Sequence, residues 1–159
     1  MPTFEDLHLK PPVAAALQRL GWNAEDPAAK ETAPTAARGH NLVALTPPAP
    51  VYAAPALAGF LSRLTDGGRG LLLAPSSQLE EWGALVYELV RDTRLRVQVA
   101  HGTARVMRLL RTDAIDLVIT TPETAVALAT RSALRTETIT GLFLAWPENW
   151  TDEDAITPL

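Results

Sequence analysis

The chain has 159 residues, 47% of them hydrophobic, enough to bury a core without help from metal or disulfide. It has no cysteine, which excludes disulfides and thiolate metal sites, and neither a leader-like N-terminus nor an apolar run of membrane-spanning length, which points to a cytoplasmic protein with no membrane partner. A net charge of −4 and a pI near 5.3 exclude attraction of nucleic acid by the molecule as a whole.

In chain order, Leu7 to Leu20, with its Pro11-Pro12 pair, reads as an opening helix, and Asp26-Pro27 to Ala37 as a second, N-capped by Asp26. Five short Leu/Val/Ile-rich runs read as strands: Asn41–Leu45, Gly70–Ala74, Arg96–Ala100, Asp116–Thr120 and Gly141–Ala145. Helical patterns lie near 52–64, 77–91, 103–111 and 122–130, and Gly67-Gly68 is a turn. Strands alternating with helices predict an α/β fold of three layers, a mostly parallel five-stranded sheet covered on both faces. The expected organisation is one domain over residues 1–150 followed by a polar tail over 151–159, with no internal repeat.

Charge is unevenly placed. Between Arg91 and Arg111 stand six arginines (Arg91, Arg94, Arg96, Arg105, Arg108, Arg111) against Asp92 alone, so this stretch carries +5 and the remainder −9. A solvated helix face explains such a run, because arginine forms helices well and snorkels; phosphate contact explains it too.

Between the expected first strand and the helix near 52–64 stands Thr46-Pro47-Pro48-Ala49-Pro50-Val51. A strand-loop-helix unit binds phosphate through G-x-x-x-x-G-K-[ST], in which glycines let backbone N–H groups wrap the anion, lysine neutralises it and a hydroxyl holds magnesium. Here three prolines supply no N–H, and glycine and lysine are both missing.

The order of landmarks resembles the first RecA-like domain of DEAD-box and related superfamily 2 helicases, over about the first 150 residues. Phe4 in Phe-Glu-Asp-Leu precedes Leu17-Gln18-Arg19-Leu20-Gly21-Trp22, similar to that family's lead-in helix ending in Gly-aromatic. Pro27, Pro34 and Gly39 fall at the spacing of its adenine-recognition segment, with Ala29 where its glutamine stands. The shortened proline loop is followed by Tyr52-Ala53-Ala54-Pro55, similar to the family's aromatic-x-x-Pro. Leu73-Ala74-Pro75-Ser76-Ser77-Gln78-Leu79 resembles its Pro-Thr-Arg-Glu-Leu motif, His101-Gly102-Thr103 its glycine turn, and Thr120-Thr121-Pro122-Glu123 its Thr-Pro-Gly-Arg or Thr-Pro-Glu motif. Ala145-Trp146-Pro147-Glu148 stands in the place of Asp-Glu-Ala-Asp.

The resemblance implies a P-loop NTPase-type, RecA-like fold, and the departures imply lost chemistry. The metal-binding aspartate is Ala145 and the water-orienting glutamate is Trp146, neither of which binds magnesium or polarises a nucleophile. Glu148 keeps an acidic place without its partners and reads as a surface residue. The expectation is therefore a pseudoenzyme with no catalytic residues, cofactor or metal, with an active ATP-dependent helicase fragment ranked last.

His8, His40 and His101 lack ligand-like spacing. Ser76, His101 and Asp116 would make a hydrolase set if their strands ended on one sheet edge, but no nucleophile elbow such as G-x-S-x-G is present. Two functions remain. In the first, the sheet edge weakly holds RNA or single-stranded DNA through Ser76, Ser77, Gln78, Gly102, Thr121 and Pro122, reinforced by Arg105 and Arg108, because helix-start N–H groups and arginines hold phosphate without ATP. In the second, prolines and tryptophans cover the former nucleotide site and offer an apolar docking face, anchored by Trp146 and Trp150, for a protein partner or for self-association. The resembled fold places a further strand between the phosphate-loop strand and the Asp-Glu-Ala-Asp strand, and the residues after Trp150 are too few to supply it. Asn41–Leu45 and Gly141–Ala145 are then expected either to pair directly or to leave an edge for another chain to cover.

Overall fold

A computed structural model describes residues 3–4, 6–46, 49–111, 114–131, 134 and 136–145. The chain divides into two compact units, residues 1–67 with 84–94, and residues 68–83 with 95–159. Among the described residues no helix is long and apolar enough to cross a membrane.

The first unit is helical. Helix α1 (Pro11–Arg19) starts at the proline pair rather than at Leu7, because proline fits the first helical turn, where its missing N–H is not needed, and Lys10 before it is extended. It buries Val13, Ala14, Ala16 and Leu17. Helix α2 (Pro27–Ala37) opens after Asp26 as expected, but the Asp26 carboxylate makes no cap. Its Oδ2 accepts from the Asn23 N–H at 2.9 Å, closing the preceding turn instead. Helix α3 (Ala54–Leu64) follows a 3-10 turn at Pro50–Ala53 and is apolar on most of its surface.

Small residues let α2 and α3 approach closely. A Cβ on Gly59 would stand 2.4 Å from the Ala33 carbonyl oxygen and 2.9 Å from the Ala36 methyl. Gly59→Ala is therefore expected to force the helices apart and cost ~1–3 kcal/mol in a urea titration, although alanine is the better helix former. A neutral or stabilising result would show that the helices can separate freely.

Asn41–Leu45 is not a strand. The segment is extended but enters no ladder, and Val43 and Leu45 are 91% and 96% exposed. Five apolar-leaning residues resemble a buried strand in composition, but a strand exists only when a neighbour satisfies its backbone.

The second unit holds a four-stranded sheet, one strand fewer than expected: β1 (Arg69–Leu73), β2 (Val97–Ala100), β3 (Leu117–Thr120) and β4 (Ile139–Leu144). The spatial order is β2-β3-β1-β4 and every pairing is parallel. The middle strands β1 and β3 are buried almost throughout, as continuous apolar runs between helices should be, whereas β4 alternates half-buried with exposed. Helix α5 (Ala104–Arg111) and helix α6 (Pro122–Thr130) supply Val106, Leu110, Ala125 and Leu128 to a core with Leu71, Leu73, Val118 and Ile115. Leu72, Ile119 and Phe143 are in register on the opposite face. There Trp82, on helix α4 (Leu79–Val90), meets Phe143 edge-on with ring centres 5.5 Å apart.

Among the described residues β4 pairs with β1 alone, so of the two expected outcomes, direct pairing with Asn41–Leu45 or an open edge, the sheet shows the edge. Leu142 and Leu144 on that edge are 51% and 37% exposed. Trp146, Pro147, Glu148, Trp150, the tail and Pro47-Pro48 lie outside the described residues.

Candidate nucleic-acid interface

Because the sheet is parallel, the segments leaving β1, β2 and β3 emerge at one edge, and each leads into a helix. This is the edge at which open α/β sheets present backbone N–H groups to ligands. After β1, Pro75 precedes a 3-10 turn at Ser76–Gln78 and then α4; after β2, His101-Gly102-Thr103 leads into α5; after β3, Thr121 caps α6. Strand adjacency sets these segments side by side in the order β2, β3, β1. The Thr120 hydroxyl donates to the Ala100 carbonyl at 2.7 Å, tying two of the strand ends together.

The candidate residues differ in availability. Ser76, Ser77 and Gly102 are exposed. Gln78 is half-buried, and its Oε1 accepts from Trp82 Nε1 at 3.2 Å, so its side chain braces α4. The Thr121 hydroxyl accepts from the Thr124 N–H at 3.2 Å and lies 3.1 Å from the Thr124 hydroxyl, so it serves its own helix. Pro122 is buried at the first helical position and has no N–H.

Helix α5 is the basic element. Arg105, Arg108 and Arg111 recur every third residue and are all exposed, while Val106 and Leu110 turn inward. Its first helical bond runs from the Met107 N–H to the Thr103 carbonyl at 2.9 Å, so the preceding N–H groups have no intrahelical acceptor. The Thr103 hydroxyl accepts from Arg131 Nη1 at 3.0 Å. This brings to the same loop a basic side chain that the sequence reading missed; the two residues are 28 apart and no local pattern links them.

The six-arginine run divides between the two units and, within the second, between the two ends of the sheet. Arg91 and Arg94 belong to the first unit, where Arg91 Nη1 lies 3.5 Å from Glu88 Oε1. Arg96 grips Asp116 at the opposite end of the sheet, with Nε and Nη2 donating to Oδ2 and Oδ1 at 3.1 and 3.0 Å and its backbone N–H donating to Oδ2 at 2.9 Å. Burial pushes the Asp116 pKa up, but these bonds and the charges of Arg96 and Arg69 outweigh it and hold the carboxyl below its ordinary value near 3.8. A depressed folded-state pKa adds stability that is present above the ordinary value and is lost as pH falls through the folded one. Asp116→Asn is thus expected to destabilise the protein at pH 7 and to approach wild-type stability in acid melts as pH falls through the depressed folded-state value. A gap of constant size across that range would show that charge is not the cause.

The hydrolase set does not assemble. Ser76 and His101 follow their strands, whereas Asp116 precedes β3 and is bound by Arg96. His101 Nε2 instead lies 2.7 Å from Glu80 Oε1. Glu80 and Glu123 also stand at this edge, so the basic character comes from α5 and Arg131 rather than from the strand ends.

This parallel α/β architecture, with its helix starts gathered on one edge, has a counterpart among solved structures. The chain is similar to the crystal structure of a hypothetical ATP-dependent RNA helicase from Sulfolobus tokodaii, with a TM-score of 0.64 and 17% identity over 84% of this chain. The match spans 40% of that chain, and identity at this level establishes the fold alone. No protein-family model and no curated protein matches the sequence.

Proposed function

We propose that the chain is a helicase-like, non-catalytic domain that holds the phosphate backbone of RNA or single-stranded DNA weakly at the edge where β1, β2 and β3 end. The observation that carries this reading is the exposed row Arg105, Arg108 and Arg111 on the helix that starts at that edge, an edge that also carries the exposed Ser76, Ser77 and Gly102. Loss of DEAD-box ATP chemistry is inferred from residue types: Ala29, buried on α2, and Ala145, buried beyond β4, offer no adenine acceptor and no metal ligand. Phosphate contacts without base readout make binding sequence-tolerant and dependent on counterion release.

The test is a titration of fluorescent single-stranded RNA and DNA of several sequences, from low to physiological salt. Similar affinities across sequences that fall steeply with salt support the proposal; no binding at low salt overturns it. Calorimetry with ATP and magnesium is expected to show no binding heat at millimolar nucleotide, and a micromolar magnesium-dependent signal would overturn the non-catalytic part.

The second reading, a protein-interaction module in the cytoplasm, is favoured by one specific feature, the exposed Leu142 and Leu144 on the β4 edge. Leu142→Lys is expected to remove self-association or partner capture under that reading and to leave oligonucleotide binding unchanged under the first.

A further inference from the structure

Three exposed basic side chains, His8, Arg38 and Arg63, lie together in the first unit. His8 is, among the described residues, the one non-glycine residue with positive φ, at 66°. L side chains enter that region at a cost, so the turn around it, closed by the Leu7 and Leu9 N–H groups on the Phe4 carbonyl, imposes the conformation. His8 Nε2 lies 2.7 Å from Arg38 Nη2. A guanidinium only donates, so a hydrogen bond here has Nε2 as its acceptor.

Arg63 is fixed from another direction. Its guanidinium packs against Gly39, where a Cβ would come within 2.3 Å of Nε and 2.4 Å of Cζ, and its Nη1 donates to the Arg38 carbonyl at 3.4 Å. Gly39, at φ 74°, is the residue type that tolerates both the backbone and the contact. Among the described residues neither guanidinium has a carboxylate partner. Asp66, three residues after Arg63, is taken by Lys10 at 2.8 Å.

Two exposed guanidiniums, with no carboxylate partner among the described residues, keep N–H donors to spare. Such forks match the oxygens of phosphate. We propose that Arg38 and Arg63, oriented by His8 and Gly39, form a phosphate-binding site in the first unit. The ligand is a phosphate group, either a free or terminal phosphate or a backbone phosphodiester. His8 is a positioning residue, since it acts by fixing Arg38. The proposal does not rest on the nucleic-acid reading, which concerns the second unit.

The test follows the Gly39 amide and the Arg63 Nε–H by NMR while the full chain is titrated with inorganic phosphate and, separately, with a short single-stranded RNA lacking terminal phosphates, against chloride at matched ionic strength. Saturable shifts at these groups are expected with at least one ligand. Phosphate alone assigns a free or terminal phosphate, and RNA alone assigns the backbone. Arg38→Ala and Arg63→Ala should each weaken binding about 10-fold. Gly39→Ala should do the same by displacing Arg63, and Arg63→Lys, which keeps the charge and loses the fork, should fall between. Drift no different from chloride, or unchanged affinity in both alanine variants, overturns the site.

Discussion

Replacing Arg105 and Arg108 together by glutamate is expected to weaken single-stranded RNA binding about 100-fold at low salt, taking each charged phosphate contact at roughly 1.5 kcal/mol. Both side chains are exposed and the inward residues of α5, Val106 and Leu110, are untouched, so the second unit should keep its fold. The salt dependence separates this contact from a folding defect. Two lost phosphate contacts lower the slope of log K against log salt by roughly 1.4 for a single strand, whereas a partly unfolded population would lower affinity at every salt concentration without changing the slope. Arg105→Gln with Arg108→Gln should show the same change of slope with a smaller loss, because repulsion is no longer added. An unchanged slope in both variants would remove α5 from the interface. Arg96→Gln is the internal contrast: it belongs to the same basic run but is engaged with Asp116 at the opposite end of the sheet, so it should cost stability and leave the slope alone.

The difference between Arg96 and Arg105 shows where a linear sequence stops being informative. Both stand in one basic run, and the distinction between them is the carboxylate of Asp116, 20 residues on, which only the β2–β3 pairing brings close. The buried strands were legible because β1 and β3 each carry an unbroken apolar run, Leu71–Leu73 and Leu117–Ile119, and sit between helices, and the structure moves their ends by a residue or so. Asn41–Leu45 has the same local composition and a different fate, because pairing is a property of the neighbour rather than of the run. At the candidate interface the turns after β1, β2 and β3 were announced by Pro75, Gly102 and Thr121-Pro122. What was hidden is how the side chains there are spent. Gln78 on Trp82 and Thr121 on Thr124 are short-range commitments that helical spacing could have suggested, while Arg131 on Thr103 crosses from one helix end to another.

Trp82→Ala is expected to destabilise the second unit by ~3–5 kcal/mol, a large share of the stability of a domain of this size. Trp82 is 1% exposed, the largest fully buried side chain among the described residues, and it fills the sheet face carrying Leu72, Ile119 and Phe143. Truncation removes its transfer energy, leaves a cavity on that face and deletes the edge-on contact with Phe143 at 5.5 Å. It also strands Gln78, whose Oε1 accepts the indole N–H, and Gln78 closes the turn that presents Ser76 and Ser77. Loss of stability and loss of oligonucleotide affinity should therefore appear together. Trp82→Phe divides the two effects: the ring still fills most of the space while the hydrogen bond is gone, so the hydrogen-bond part of the cost should be about 1 kcal/mol with a measurable drop in RNA affinity. Urea titration of the three proteins, followed by RNA binding under conditions where each remains folded, makes the comparison. A Trp82→Ala cost below about 1 kcal/mol would mean that this face closes over the gap without difficulty, and Trp82 would then not be what holds α4 and the Ser76–Gln78 turn against the sheet.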